Sequence, residues 1–165
     1  MKPSNVLAIL CILLLPALTG RAAEEALPPV YTLSSQFSRV VVVRLKNGED
    51  LLDGLKKAVE RENIKNAVFL SGAGSLTSFH VHVVSNTTLP STNAFVKQAG
   101  PYDLVAVTGY VINGRIHAHI TFADTEKALG GHLEPGTHIF TFAIITLGVL
   151  DEKARLDGWD DWRRP

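Results

Sequence analysis

From Asn113-Gly114 onward the chain alternates apolar and polar residues as far as Phe122. Ile116, Ala118, Ile120 and Phe122 fall on one side of an extended strand, and His117, His119 and Thr121 fall on the other. The stretch before it, Leu104 to Ile112, is also strand-forming. Asn-Gly between two such runs is the signature of a type I′ turn and predicts an antiparallel hairpin whose register the turn fixes. A chain carrying this hairpin must bury one strand face and leave the imidazoles on the other.

Two imidazoles two residues apart on a strand lie about 7 Å apart along the backbone. Both can therefore reach a common centre above the sheet. His132 follows Gly130-Gly131 in what reads as a loop, and it supplies a third imidazole. Three neutral imidazoles with an open fourth position form a known zinc set. The competing expectation is that the histidines only pack. A cupin-like site also begins with His-x-His, but Glu126 comes late, in the expected loop. A second His-x-His pair, His80 and His82, has the same spacing but no third ligand close behind it. It is expected to lie partly exposed on a polar sheet face.

The remaining elements follow from periodicity. Ser38 to Leu45, with four consecutive valines, predicts a buried strand ending at Asn47-Gly48. In Asp50 to Asn63, Leu51, Leu52, Leu55, Ala58 and Val59 make one helical stripe, with Lys56, Lys57, Glu60 and Arg61 on the solvated face. Glu49 and Asp50 sit where the helix dipole favours acids. Ala67 to Ser71 predicts a short strand and Gly72-Ala73-Gly74-Ser75 a tight turn, lacking the lysine and later glycine of a phosphate loop. Leu76 to Ser85 is a further strand, and Asn86 to Asn93 a turn-rich connection with a formal glycosylation acceptor at Asn86. Asp124 to Leu129 reads as a polar connection, His132 to Gly136 as irregular, and Thr137 to Leu150 as a long apolar strand. One helix among six or seven strands predicts an α+β domain with a largely antiparallel sheet.

The sequence of 165 residues is long enough for one domain with a real core. Residues 1–22 have the layout of a secretory signal peptide: Lys2, an apolar run from Val6 to Leu18, and small residues at Gly20-Arg21-Ala22. Residues 23–37 then form a leader, 38–150 the domain, and 151–165 a charged tail carrying Trp159 and Trp162. Cleavage removes Cys11, the single cysteine, and two bases, leaving fourteen bases against sixteen acids. The expected product is periplasmic or secreted, free of disulfides, without a stable membrane anchor, and without the basic excess usual in a nucleic-acid binder.

Four motifs occur together in order: Ser71-Gly72-Ala73-Gly74-Ser75-Leu76, Gly109-Tyr110-Val111-Ile112, Gly114-Arg115-Ile116-His117-Ala118-His119 and Gly130-Gly131-His132-Leu133. In this the chain resembles the plants-and-prokaryotes-conserved (PPC) domain, prokaryotic branch. The resemblance implies a single α+β domain, one main helix against a curved antiparallel sheet, assembling as a homotrimer. It also implies a metal site at His117, His119 and His132. In plants the domain accompanies AT-hook DNA-binding motifs; the core Arg-Gly-Arg-Pro of that motif is not found here. Three functions follow as expectations. The first is an exported protein binding zinc, with a small ligand or water completing the shell. The second is a metal-dependent hydrolase or lyase, with Glu134 or Asp124 as base and Arg115 holding a small anionic substrate. The third is a structural trimer or DNA-binding module, the DNA reading disfavoured by charge and export.

Overall fold

The computed structural model describes residues 30–163. The expected signal peptide lies outside the described residues. Seven elements follow in order: β1 (Phe37–Lys46), α1 (Leu51–Arg61), β2 (Ala67–Val84), β3 (Asn93–Ile112), β4 (Arg115–Ala123), β5 (Ala128–Leu133) and β6 (His138–Leu150). All strand pairs are antiparallel, and the sheet order is β1-β6-β2-β3-β4-β5. This is the expected class, a mostly antiparallel sheet with a single helix. Among the described residues no helix is long and apolar enough to cross a membrane.

The helix forms where the stripe placed it. Leu51, Leu52, Leu55, Ala58 and Val59 are all buried. Asp50 caps its N-terminus by accepting from the Asp53 amide at 2.9 Å, which satisfies one of the amides that a helix start leaves without a partner. The stripe packs on the sheet face bearing Leu45, Ala143, Ile145 and Leu147, all buried.

A further pairing shapes the rest of the molecule. The strand at the end of that sheet order, β5, bonds to β4 on one side and to β2 on the other, with Val81 opposite Leu133 and His82 opposite His132. β2, β3, β4 and β5 therefore close into a ring. Phe79, Phe122, Tyr102 and Leu133 fill its interior, where the Phe79 and Phe122 rings are 4.2 Å apart. Apolar side chains point inward from each strand, so the alternating partners on the same strands point outward.

Three expectations are corrected. Gly72-Ala73-Gly74-Ser75 is not a turn but the middle of β2, which runs unbroken through both strands expected there. Its glycines serve close passage: a Cβ at Gly74 would meet the Ala143 Cα at 2.7 Å. β3 starts at Asn93, so it is about twice the expected length. Gly130 to Leu133 is strand rather than loop. A Cβ at Gly131 would lie 2.8 Å from the His82 carbonyl oxygen, so glycine there lets β5 fit between its two neighbours. The hairpin turn is as expected, with Asn113 and Gly114 both at positive φ, +50° and +75°.

Candidate metal centre

The outward face of the ring gathers the histidines. His117 and His119 come from β4, two residues apart. His132 stands opposite His119 in the β4–β5 register and opposite His82 in the β5–β2 register. Three adjacent strands thus carry a row of imidazoles, His119, His132 and His82, with His117 beside it. Ring centroids are 5.0 Å apart for His117 and His132, 5.1 Å for His119 and His132, and 4.5 Å for the stacked pair His82 and His132. One ligand atom each from His117, His119 and His132 lies within 4.8 Å of the other two. A second such group joins His82, His132 and Glu134.

The electrostatics suit neutral donors. Burial, and after it the neighbouring imidazoles of His82, His117 and His119, push the His132 pKa down to about 4, with Glu134 pulling the other way. His119 is lowered too, by burial first and then by His117 and His82. Rings that stay unprotonated at neutral pH are free to donate a lone pair, so this donor set fits a divalent ion of the zinc type.

Carboxylates orient two of the rings. Asp160 Oδ2 is 3.4 Å from His117 Nδ1, and Glu134 Oε1 is 2.6 Å from His82 Nδ1. A carboxylate on one ring nitrogen fixes the tautomer and turns the other nitrogen outward as a donor. His80 does different work. Its Nδ1 meets the Pro135 carbonyl at 2.7 Å, and its backbone bonds to the buried Thr137 hydroxyl and the Glu134 amide. His80 thus holds the segment that presents Glu134.

The other residues singled out in the sequence divide. Glu134 belongs to the cluster. Arg115 adjoins it, but donates to Asp160 at 3.2 Å. Asp124 lies past the end of β4, where it accepts from the Glu126 and Lys127 amides and shapes that turn; those two bonds hold its carboxyl below its ordinary value. Glu126 stays in the same connection. Two members were not anticipated at the site. His82 reaches it only through the β5–β2 pairing, and Asp160 only through the docking of the tail. A concavity of about 1040 Å³ between Gly74, Tyr102, Phe140 and Phe142 has no histidine in its lining. A smaller one of about 350 Å³ opens onto His117 and His119.

Comparison with known proteins places the chain in a family. The Plants and Prokaryotes Conserved (PCC) domain matches residues 33–151, and the chain belongs to that family. A plant- and prokaryote-conserved protein of Pyrococcus horikoshii has the same fold at a TM-score of 0.62 and 23% identity, over 74% of this chain and 85% of that one. A metal-containing protein of Archaeoglobus fulgidus superposes at 0.62 with 17% identity, over 74% of this chain and 86% of that one. Other solved neighbours are described as candidate DNA-binding proteins. In sequence, 129 residues are 29% identical to the bifunctional protein GlmU of Synechococcus sp. (strain JA-3-3Ab), covering 78% of this chain and 19% of that protein. The chain spans about a fifth of the length of the curated relatives it matches.

Proposed function

We propose that this chain is an exported, homotrimeric protein that binds one divalent ion, zinc, through His117, His119 and His132. The observation that carries this reading is the convergence of three imidazole donors within 4.8 Å, one of them held unprotonated far below its ordinary range. Export rests on the N-terminal sequence, and the trimer on the family resemblance. A sheet face bearing Val42, Phe140, Phe142 and Ile144, all exposed, also favours a subunit partner.

A divalent ion on three neutral imidazoles supplies Lewis acidity at an open coordination position. Around it the chain contributes Asp160 and Glu134, which orient imidazoles, and the cavity beside His117 and His119, which admits a small ligand. The pairing of Glu134 with His82 favours a second reading, a hydrolase or lyase acting on a small anionic substrate. In that reading Glu134 and His82 would hold and pass a proton beside the ligand. Nucleic-acid binding draws no support from a chain with sixteen basic and sixteen acidic residues.

The test is metal content by mass spectrometry on the untagged protein, beside the His117→Ala/His119→Ala variant. About one zinc per chain, lost in the variant, is the expected result. No metal in either, with thermal stability unchanged by added zinc, would leave the histidines as packing residues.

A further inference from the structure

Residues 152–163 lie beyond the family match, yet they are fastened to the domain at several points. Ala154 and Leu156 are buried. The buried Asn66 donates to the Ala154 carbonyl at 3.0 Å, and Asn113 donates to the Asp157 carboxylate at 2.6 Å. Arg115 holds Asp160, and the Trp159 ring meets Tyr31 edge-on at 5.2 Å. The tail is thereby fixed alongside the β3–β4 hairpin, next to the strand that carries His117 and His119.

The 350 Å³ cavity lies between tail and hairpin, within the range of about 300–1,000 Å³ usual for small-molecule sites. Its lining is mixed in chemistry. Tyr110 and Ile112 from β3, with Leu156 and Trp159 from the tail, supply its apolar surface. His117, His119 and Asp160 supply its polar groups, with His117 beside Tyr110 in the β3–β4 register. Tyr110 and Trp159 are 50% and 39% exposed, so both rings keep uncovered surface that a flat apolar group could remove from water. Among the polar groups the charge of Asp160 is already matched by Arg115. An ion on neutral imidazoles would keep its double positive charge, for which an oxygen-anion head is the complement.

We infer that the C-terminal tail completes a ligand pocket over the metal centre, and that the pocket takes a small acid with a flat apolar body. The body lies between Tyr110 and Trp159, and the oxygen-anion head points to His117 and His119. This inference rests on the metal reading above. The tail then sets which ligand the site accepts, by means that lie outside the part of the chain shared with the family.

The test compares two probes with the same head on the zinc-loaded full chain: benzohydroxamate, which has an aromatic body, and acetohydroxamate, which has only a methyl group. Calorimetric titration should show benzohydroxamate binding at least tenfold more tightly, with a change in tryptophan emission. Trp159→Ala should remove most of that preference while keeping about one zinc per chain, and Trp159→Phe should retain it. Equal affinities for the two probes in the native chain, or a preference that survives Trp159→Ala, would overturn the inference and leave the metal reading standing. A native chain that takes up no zinc would sink the metal reading before any probe is added, and the pocket assignment with it.

Discussion

His82 stacks on His132 across the β2–β5 pairing, ring centroids 4.5 Å apart, with Glu134 Oε1 2.6 Å from His82 Nδ1. This contact extends a three-histidine centre into a five-residue cluster. Ligand-orienting partners are typically worth about 10–100-fold in metal affinity. Glu134→Gln and His82→Ala should each weaken zinc binding by about tenfold, read by competition with a chromogenic chelator. His80→Ala, which removes the Pro135 contact and no donor, should weaken it less than either. Equal losses in all three would mean that the segment 134–137, rather than the cluster, was being measured.

Asp160 acts on the opposite side of the centre. Its carboxylate joins His117 to Arg115, at 3.4 and 3.2 Å. Asp160→Asn keeps the shape and loses the charge, so the fold should hold while zinc affinity falls about 10–100-fold. Arg115→Gln leaves the carboxylate in place and should cost less. Circular dichroism beside the chelator assay separates loss of the fold from loss of orientation.

The acid limb of stability follows from His132. Its pKa is about 4 in the folded chain against 6.5 without the fold's influence. As pH falls through 6.5 the unfolded chain gains a proton that the folded chain refuses until about 4. The contribution is therefore complete above 6.5, declines between 6.5 and 4, and levels off below. Solvent screening at this partly exposed ring limits the loss to about 1 kcal/mol. Melting of the metal-free protein should track that window, and His132→Gln should flatten it.

Why part of this site was legible in the sequence, and part was not, comes down to range. His117 and His119 were visible because strand alternation is local and Asn113-Gly114 fixes their hairpin. The helix stripe from Leu51 to Val59 was legible for the same reason. His132 stands out as a candidate ligand but reads as part of a loop, because Gly130-Gly131 looks like a break when the neighbours that demand glycine are unseen. His82 carries no local sign of a role, since its partner lies fifty residues away, across a pairing that exists only once the ring closes. Gly72 to Ser75 misled in the same way. A glycine pair inside a strand looks like a turn until the backbone passing over it is known. Asp160 had no signal at all, its role depending on how the tail docks.

Gly131→Ala tests that ring closure. The added Cβ would meet the His82 carbonyl oxygen at 2.8 Å and the Val81 Cβ at 3.0 Å, so β5 must move off β2. Overpacking of this kind costs about 1–3 kcal/mol. Denaturant unfolding should show a loss of that size. Zinc affinity should fall with it, because the displaced strand carries His132. A stability loss with affinity intact would show that β4 alone positions His132.

The sheet face away from α1 gives the last prediction. Val42 is 64% exposed, and Phe140, Phe142 and Ile144 along β6 are exposed as well, with the Arg44 guanidinium 5.7 Å from the Phe142 ring centre. Opposite them, Leu45, Ala143, Ile145 and Leu147 are buried beneath the helix, so the exposed apolar side chains lie on the face that α1 leaves open. A contiguous exposed apolar patch of this kind marks an interaction surface. With α1 on one face, a second and third copy of the chain are the proposed cover for the other. Light scattering with size exclusion should give a trimer for the native chain. Val42→Lys/Ile144→Lys puts like charges into that interface without touching the core, and should shift the population to monomer while zinc per chain stays near one. A native monomer would remove the trimer. A trimer that survives both lysines would place its interface elsewhere.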